Sequence, residues 1–154
     1  MNALKQIVGA ALVDSLQAPT RLLAARRTSP PALAGLWEFP GGKVEAGEGC
    51  QAGLLRELAE ELGIEAELGA EIEGPIDQGW KLSGPAAMRV WLACVTDGTP
   101  EPLEDHDELR WLELDGDLKD VVPWIPADLP IVEAIVARHG ALPGTVSGQG
   151  IVRP

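Results

Sequence analysis

The feature that most constrains this chain is one stretch in its first half, Cys50–Leu62, which has helical periodicity and runs into Gly63, a residue suited to a left-handed C-cap. At about 100° per residue, Glu57, Glu60 and Glu61 fall in one arc roughly 100° wide. Leu54, Leu55, Leu58 and Leu62 fall in a neighbouring arc of about the same width. One face must therefore pack on a sheet while an adjoining face presents three carboxylates. Glu57 and Glu61, one turn apart, repel by a few tenths of a kcal/mol unless something compensates. Arg56 and a divalent cation are the available compensations, and hard carboxylate oxygens favour Mg²⁺ or Mn²⁺ over zinc. The helix alone fits a solvated acidic face better than a metal site, so the flanking residues have to decide.

Those flanks read mainly as strands. Gln6–Val13 is a short apolar run consistent with a buried first strand, and Arg21–Arg27 is a second strand. Thr28–Gly35, with Pro30-Pro31, is a loop, because adjacent prolines forbid helix and central strand alike. Leu36–Pro40 is extended, and Gly41-Gly42 predicts a tight turn. After Gly63, Ile64–Ile76 alternates like strand, Met88–Val95 is the best strand and the one to place centrally, and Leu109–Leu114 is another. Pro126-Ala-Asp-Leu-Pro130 opens a second helix. The sum is an α+β (α/β) domain, a mixed sheet with helices on its faces, over residues 1–140. Residues 141–154 form a Gly- and Pro-rich tail that reads as disordered.

Charge narrows the function. Among 154 residues, 12 Lys and Arg face 24 Asp and Glu, a formal net charge of −12. Such a surface repels DNA, RNA and anionic membranes, so a nucleic-acid polymer is not the expected partner. An anionic small molecule would need a local cluster of cations or a metal. Two cysteines, Cys50 and Cys94, make no disulfide framework and read as small apolar fillers in a reducing, cytoplasmic setting. The apolar start of the chain reads as strand rather than signal peptide, and no apolar run is long enough to span a bilayer. Monomer and homodimer are both open.

From Gly42 to Ile64 the sequence resembles the Nudix box, Gly-x5-Glu-x7-Arg-Glu-aliphatic-x-Glu-Glu-x-Gly-aliphatic. Gly42, Glu48, Arg56, Glu57, Leu58, Glu60, Glu61, Gly63 and Ile64 occupy every specified position. The preceding Trp37-Glu38-Phe39-Pro40-Gly41-Gly42-Lys43 is similar to the MutT-like branch, which acts on nucleoside triphosphates. The resemblance implies a loop–helix–loop site performing NTP + H₂O → NMP + PPi with Mg²⁺ (or Mn²⁺). It implies that Glu57, Glu60, Glu61 and the Gly41 carbonyl hold the metal, and that Glu48 and Arg56 brace the loop with Gly42 and Gly63. The general base is open among Glu60, Glu61 and the later cluster Glu104-Asp105-His106-Asp107-Glu108, of which Glu108 is the preferred member. Arg27 resembles the family's phosphate-binding arginine, and Lys43 is a second candidate. Arg26, by strand alternation, points the other way.

Glu38, Phe39 and Asp128 are candidates for the base pocket. Relatives selective for oxidised guanine resemble this segment but carry Asn where Asp128 stands. An ionised Asp only accepts hydrogen bonds, so it suits the N4 amine of cytosine and opposes the O6 of guanine. That favours CTP, dCTP or 5-methyl-dCTP. Adenine also offers an amine, a buried Asp can be protonated, and Asp128 could instead cap the helix. Stacking on a base would fall to Phe39 or a tryptophan, with Trp80 and Trp124 better placed than Trp91 and Trp111. The alternatives to a cytidine triphosphatase are an 8-oxo-dGTP sanitising enzyme, a pyrophosphatase of a sugar nucleotide or dinucleotide, and a Nudix module that binds a nucleotide without hydrolysing it. The last would be expected to carry a broken box, and this box is whole.

Overall fold

Strand β1 (Lys5–Leu12) is apolar on both faces, and the architecture follows from what covers each. In the computed structural model, which describes residues 4–141, Val8, Ala10 and Leu12 point to one layer. Ala11 and Val13 point to the other. The first layer holds α1 (Cys50–Leu62), whose Leu54, Leu58 and Leu62 are fully buried. The second holds α2 (Leu118–Val121) and α3 (Leu129–Ala141), through Leu118, Ile131, Val132 and Ile135. Leu55 is 39% exposed, so the apolar stripe of α1 is narrower than its sequence predicts: Leu55 lies at the rim of the arc, beyond the reach of the sheet.

β2 (Arg21–Arg27), β3 (Trp37–Glu38), β4 (Gly41–Lys43), β5 (Glu65–Ile72), β6 (Trp80–Lys81), β7 (Ala86–Asp97) and β8 (His106–Glu113) complete the strands. They form two sheets rather than one. The larger is mixed and ordered β4-β1-β7-β5, with β6 also paired to β7, and β1 and β7 are parallel over Lys5–Leu12. The smaller, β3-β2-β8, is antiparallel. A single bridge, Val13 to Leu22, links β1 to β2 across the turn. The expected central strand is β7, buried at Ala87, Met88, Val90, Trp91 and Ala93.

The strand expected over Ile64–Ile76 is Glu65–Ile72, a 3-10 turn at Pro126–Asp128 precedes α3, and three further differences stand out. Gly41-Gly42 is not a tight turn but the edge strand β4, with Val8 opposite Gly42 and Gly9 opposite Gly41. A Cβ on Gly41 would lie 2.0 Å from the Val8 carbonyl oxygen, so glycine is needed there for close approach to β1. The last strand starts at His106 instead of Leu109, because pairing with β2 runs to Arg27. The short helix α2 lacks a sequence signal of its own length and is held by burial of Leu118. Cys50 and Cys94 are half-buried. No helix among the described residues is long and apolar enough to cross a membrane. The tail predicted for 141–154 lies, past Ala141, outside the described residues.

Candidate active site

Both ends of α1 are tied down, and this fixes the direction of its acidic face. At the N-terminal side, Arg56 donates to Glu48 through Nε (2.8 Å) and Nη2 (3.1 Å), and to the Lys43 carbonyl (3.0 Å). The Arg56 guanidinium holds Glu48 well below the usual carboxylate range. Helix C-termini leave carbonyls without intrahelical partners. Here Gly63, at φ 71°, caps the helix by donating to the Ala59 carbonyl. The amides of Leu103 and Glu101 reach the carbonyls of Glu61 (3.1 Å) and Leu62 (3.0 Å). The loop before β8 is thereby pinned beside the acids of α1.

Between β4, α1 and this loop lies a cleft of about 690 Å³. Glu57, Glu60, Glu61, Gly41, Gly42 and Lys43 line one wall, joined by Glu104 and Asp105. Glu61 Oε1 accepts the Gly41 N–H at 3.3 Å. A Cβ on Gly42 would sit 2.3 Å from the Glu57 carboxyl carbon, so the bare glycine is what lets Glu57 lie against β4. Burial raises the pKa of Glu57 and pushes Glu61 up to about 7, the latter against the pull of His106 and the Gly41 amide.

The donor set on this wall fits a hard divalent cation: it is all carboxylate and carbonyl oxygen, and its acids are held at a free-energy cost that a cation would relieve. It is not a finished cage. No three His, Cys, Asp or Glu side chains among the described residues close around one point. Arg56 donates to Glu57 (3.1 Å) and Glu60 (3.2 Å), and so competes for them.

Arg27, Glu38, Phe39, Ile125, Ala127 and Asp128 also line the cleft. Arg27 donates to the Ser29 carbonyl (2.7 Å) and to Glu38 Oε2 (2.9 Å), and its Nη2 has no partner among the described residues. Asp128 closes a 3-10 turn, Pro126–Asp128, ahead of α3 and is 4% exposed. Burial, with the nearby charge of Glu38, pushes its carboxyl up to about 7 against a hydrogen bond from the Phe39 backbone.

The NUDIX domain matches residues 5–126, most of the chain. The chain is a Nudix hydrolase. A Mycobacterium tuberculosis protein named putative 8-oxo-dGTP diphosphatase 2 is 44% identical over 108 residues, spanning 70% of this chain and 73% of that one. The CTP pyrophosphohydrolase of Escherichia coli K12 is 38% identical over 124 residues, spanning 80% and 87%. In structure, the Escherichia coli ORF135 protein superposes with a TM-score of 0.71 at 33% identity, covering 92% of this chain and 95% of that one.

The structure brings Gly41, Gly42, Glu57, Glu60 and Glu61 to one cleft, and Arg56 pairs with Glu48 beside it. Glu108 is not brought to the cleft. It lies across from Arg26 in the β2–β8 ladder and pairs with Arg26 (3.3 Å) and Arg110 (3.0 Å), because β8 starts three residues earlier than the sequence predicts. Glu104 and Asp105 take its place on the cleft wall. Trp80 and Trp124 do not line the cleft either. Their indole N–H groups donate to the Ile72 and Leu118 carbonyls, and Trp124 packs against Phe39 with ring centroids 5.4 Å apart. Phe39 alone of the aromatic candidates reaches the cleft. His106 escaped the sequence reading as an individual: its side chain is fully buried, with Nε2 2.8 Å from Glu38 Oε2. Only its place at the start of a strand, between two exposed acids, hinted at an inward direction.

Proposed function

We propose that this Nudix hydrolase cleaves nucleoside triphosphates to the monophosphate and pyrophosphate, with a preference for cytidine nucleotides. The observation that carries the reading is one cleft that brings an oxygen-rich cluster (Glu57, Glu60, Glu61, Gly41) together with Arg27, Glu38 and Asp128. Glu57, Glu60, Glu61 and the Gly41 carbonyl would hold Mg²⁺ or Mn²⁺. When bound, the ion neutralises phosphate charge and orients the attacking water. Arg27 and Lys43, both lining the cleft, would bind phosphate oxygens, and the unengaged Nη2 of Arg27 supports this. The proton of the water goes to a cleft carboxylate, Glu60, Glu61 or Glu104.

Asp128 and Glu38 would meet the base. Burial pushes the Asp128 carboxyl up to about 7, which supports the protonated, donating form that the sequence left open beside the ionised one. Ionised, it accepts the N4 amine of cytosine. Protonated, it donates to a guanine O6, and this favours 8-oxo-dGTP as the second reading. The names of the two relatives above divide in the same way.

Pyrophosphate release from CTP, dCTP, 5-methyl-dCTP, dATP, dGTP and 8-oxo-dGTP, at equal low concentration in Mg²⁺, tests the choice. A cytidine preference that Asp128→Asn relaxes supports the first reading. An 8-oxo-dGTP preference replaces it with the second.

A further inference from the structure

Three adjacent strands meet at a single carboxylate oxygen, one supplying the carboxylate and two the side chains that approach it. In the sheet β3-β2-β8, Glu38 comes from β3, Arg27 from β2 and His106 from β8. Arg27 Nη1 lies 2.9 Å and His106 Nε2 2.8 Å from Glu38 Oε2. The other oxygen, Oε1, has no hydrogen-bond partner among the described residues, and Glu38 lines the cleft.

A register shift makes this possible. Arg26 sits opposite Glu108, yet Arg27 sits opposite His106, so Asp107 is the extra residue of a bulge in β8. Bulges commonly re-aim a side chain beside an active site. In unbroken register Asp107 would face Arg27. With the bulge, Asp107 turns out to Arg26 Nε at 2.8 Å, and His106 takes the inward place with its side chain wholly buried.

The ring's tautomer follows from its partners. His106 Nδ1 is buried and has no hydrogen-bond partner. Were Nδ1 to carry the only hydrogen, a buried N–H would be orphaned and two acceptors would face each other at 2.8 Å. With the hydrogen on Nε2, the bond to Glu38 is made and only an acceptor is left over.

We propose that His106 is a positioning residue for base selection: by donating from Nε2 it fixes Oε2 of Glu38, so that Oε1 is left to accept the exocyclic amine of the base. This rests on the reading of Glu38 as a base contact. CTP and UTP differ along one base edge, an amine and a bare N3 against a carbonyl and an N3–H, so their ratio of kcat/KM reads discrimination at that edge. His106→Leu, which keeps volume and removes the donor, lowers the CTP:UTP ratio about tenfold, more through KM for CTP than through kcat. His106→Gln, which keeps a donor, retains most of it. Adding His106→Leu to Glu38→Gln changes the ratio no further than Glu38→Gln alone.

Equal losses on both nucleotides with an unchanged ratio, or additive effects in the double variant, would overturn the proposal, as would a wild type that hydrolyses both without discrimination. A wild type that turns over no triphosphate would instead overturn the pyrophosphohydrolase reading. Should His106→Leu not fold, ¹⁵N NMR of the wild-type ring decides: an Nε2–H tautomer whose signal shifts in Glu38→Gln supports the proposal, and an Nδ1–H tautomer ends it.

Discussion

Two acidic regions of this protein treat their charge in opposite ways. Along β2 and β8, Asp107 and Glu108 meet Arg26 and Arg110, two acids against two arginines, all about half exposed. The ladder is electrically complete. Around α1, Arg56 alone faces Glu45, Glu48, Glu57 and Glu60, and Glu61 lies buried beyond with no arginine or lysine paired to it. The ladder needs nothing further, whereas the α1 cluster has an excess of negative charge in a partly dry place. The difference separates acids whose charge is met by neighbouring arginines from acids whose charge is not, which neither residue counts nor net charge could do.

If that contrast is sound, the largest effect comes from the uncompensated side. Glu61→Gln should lower turnover by about 10²–10³-fold while the purified protein stays folded, measured as pyrophosphate release against circular dichroism. Gly42→Ala should come next, with a loss on the order of 10²-fold. The new methyl displaces the Glu57 carboxylate it would otherwise strike, and a displacement of about 1 Å suffices.

Acid stability sharpens the comparison further. Glu61 and Asp128 have folded-state pKa values raised to about 7, so between pH 4 and 7 the folded protein binds protons that the unfolded chain does not. Metal-free protein in EDTA should therefore gain stability as pH falls from 8 to 5, on the order of 3 kcal/mol for Glu61 alone. Added Mg²⁺ should raise Tm more at pH 8 than at pH 5.5. A Tm that drops steadily between pH 8 and 5 without metal would break the contrast.

Arg56→Ala should destabilise the fold by about 2 kcal/mol in urea titration, since it strands Glu48 and Glu57. Arg110→Ala, on the balanced ladder, should change stability by about 1 kcal/mol or less and leave turnover alone.

The sequence was most informative where one helix or one strand decides the outcome. The bounds of α1 and its Gly63 cap, the inward Leu54, Leu58 and Leu62, and the central place of β7 all follow from periodicity within a single element. It was least informative where pairing between strands decides. The start of β8 at His106, the bulge at Asp107 and the exile of Glu108 depend on how far β2 extends alongside, which no local pattern records. The same holds for Trp124 and Phe39, whose roles were divided by the helix packed above them. The raised carboxyl of Asp128 is a matter of burial, invisible in a Pro-Ala-Asp-Leu-Pro string.

The pairing of β4 with β1 has a mechanical consequence. Because Gly41–Lys43 is hydrogen-bonded into the main sheet, the metal-side backbone cannot move without unzipping an edge strand next to the core. Amides of β4 that are paired to β1 should exchange with solvent more slowly than those of the Pro30–Gly35 loop. Movement around the cleft should therefore be uneven: the anvil stays fixed, and whatever breathing a turnover cycle requires falls to the loop that brings Leu33 to the cleft.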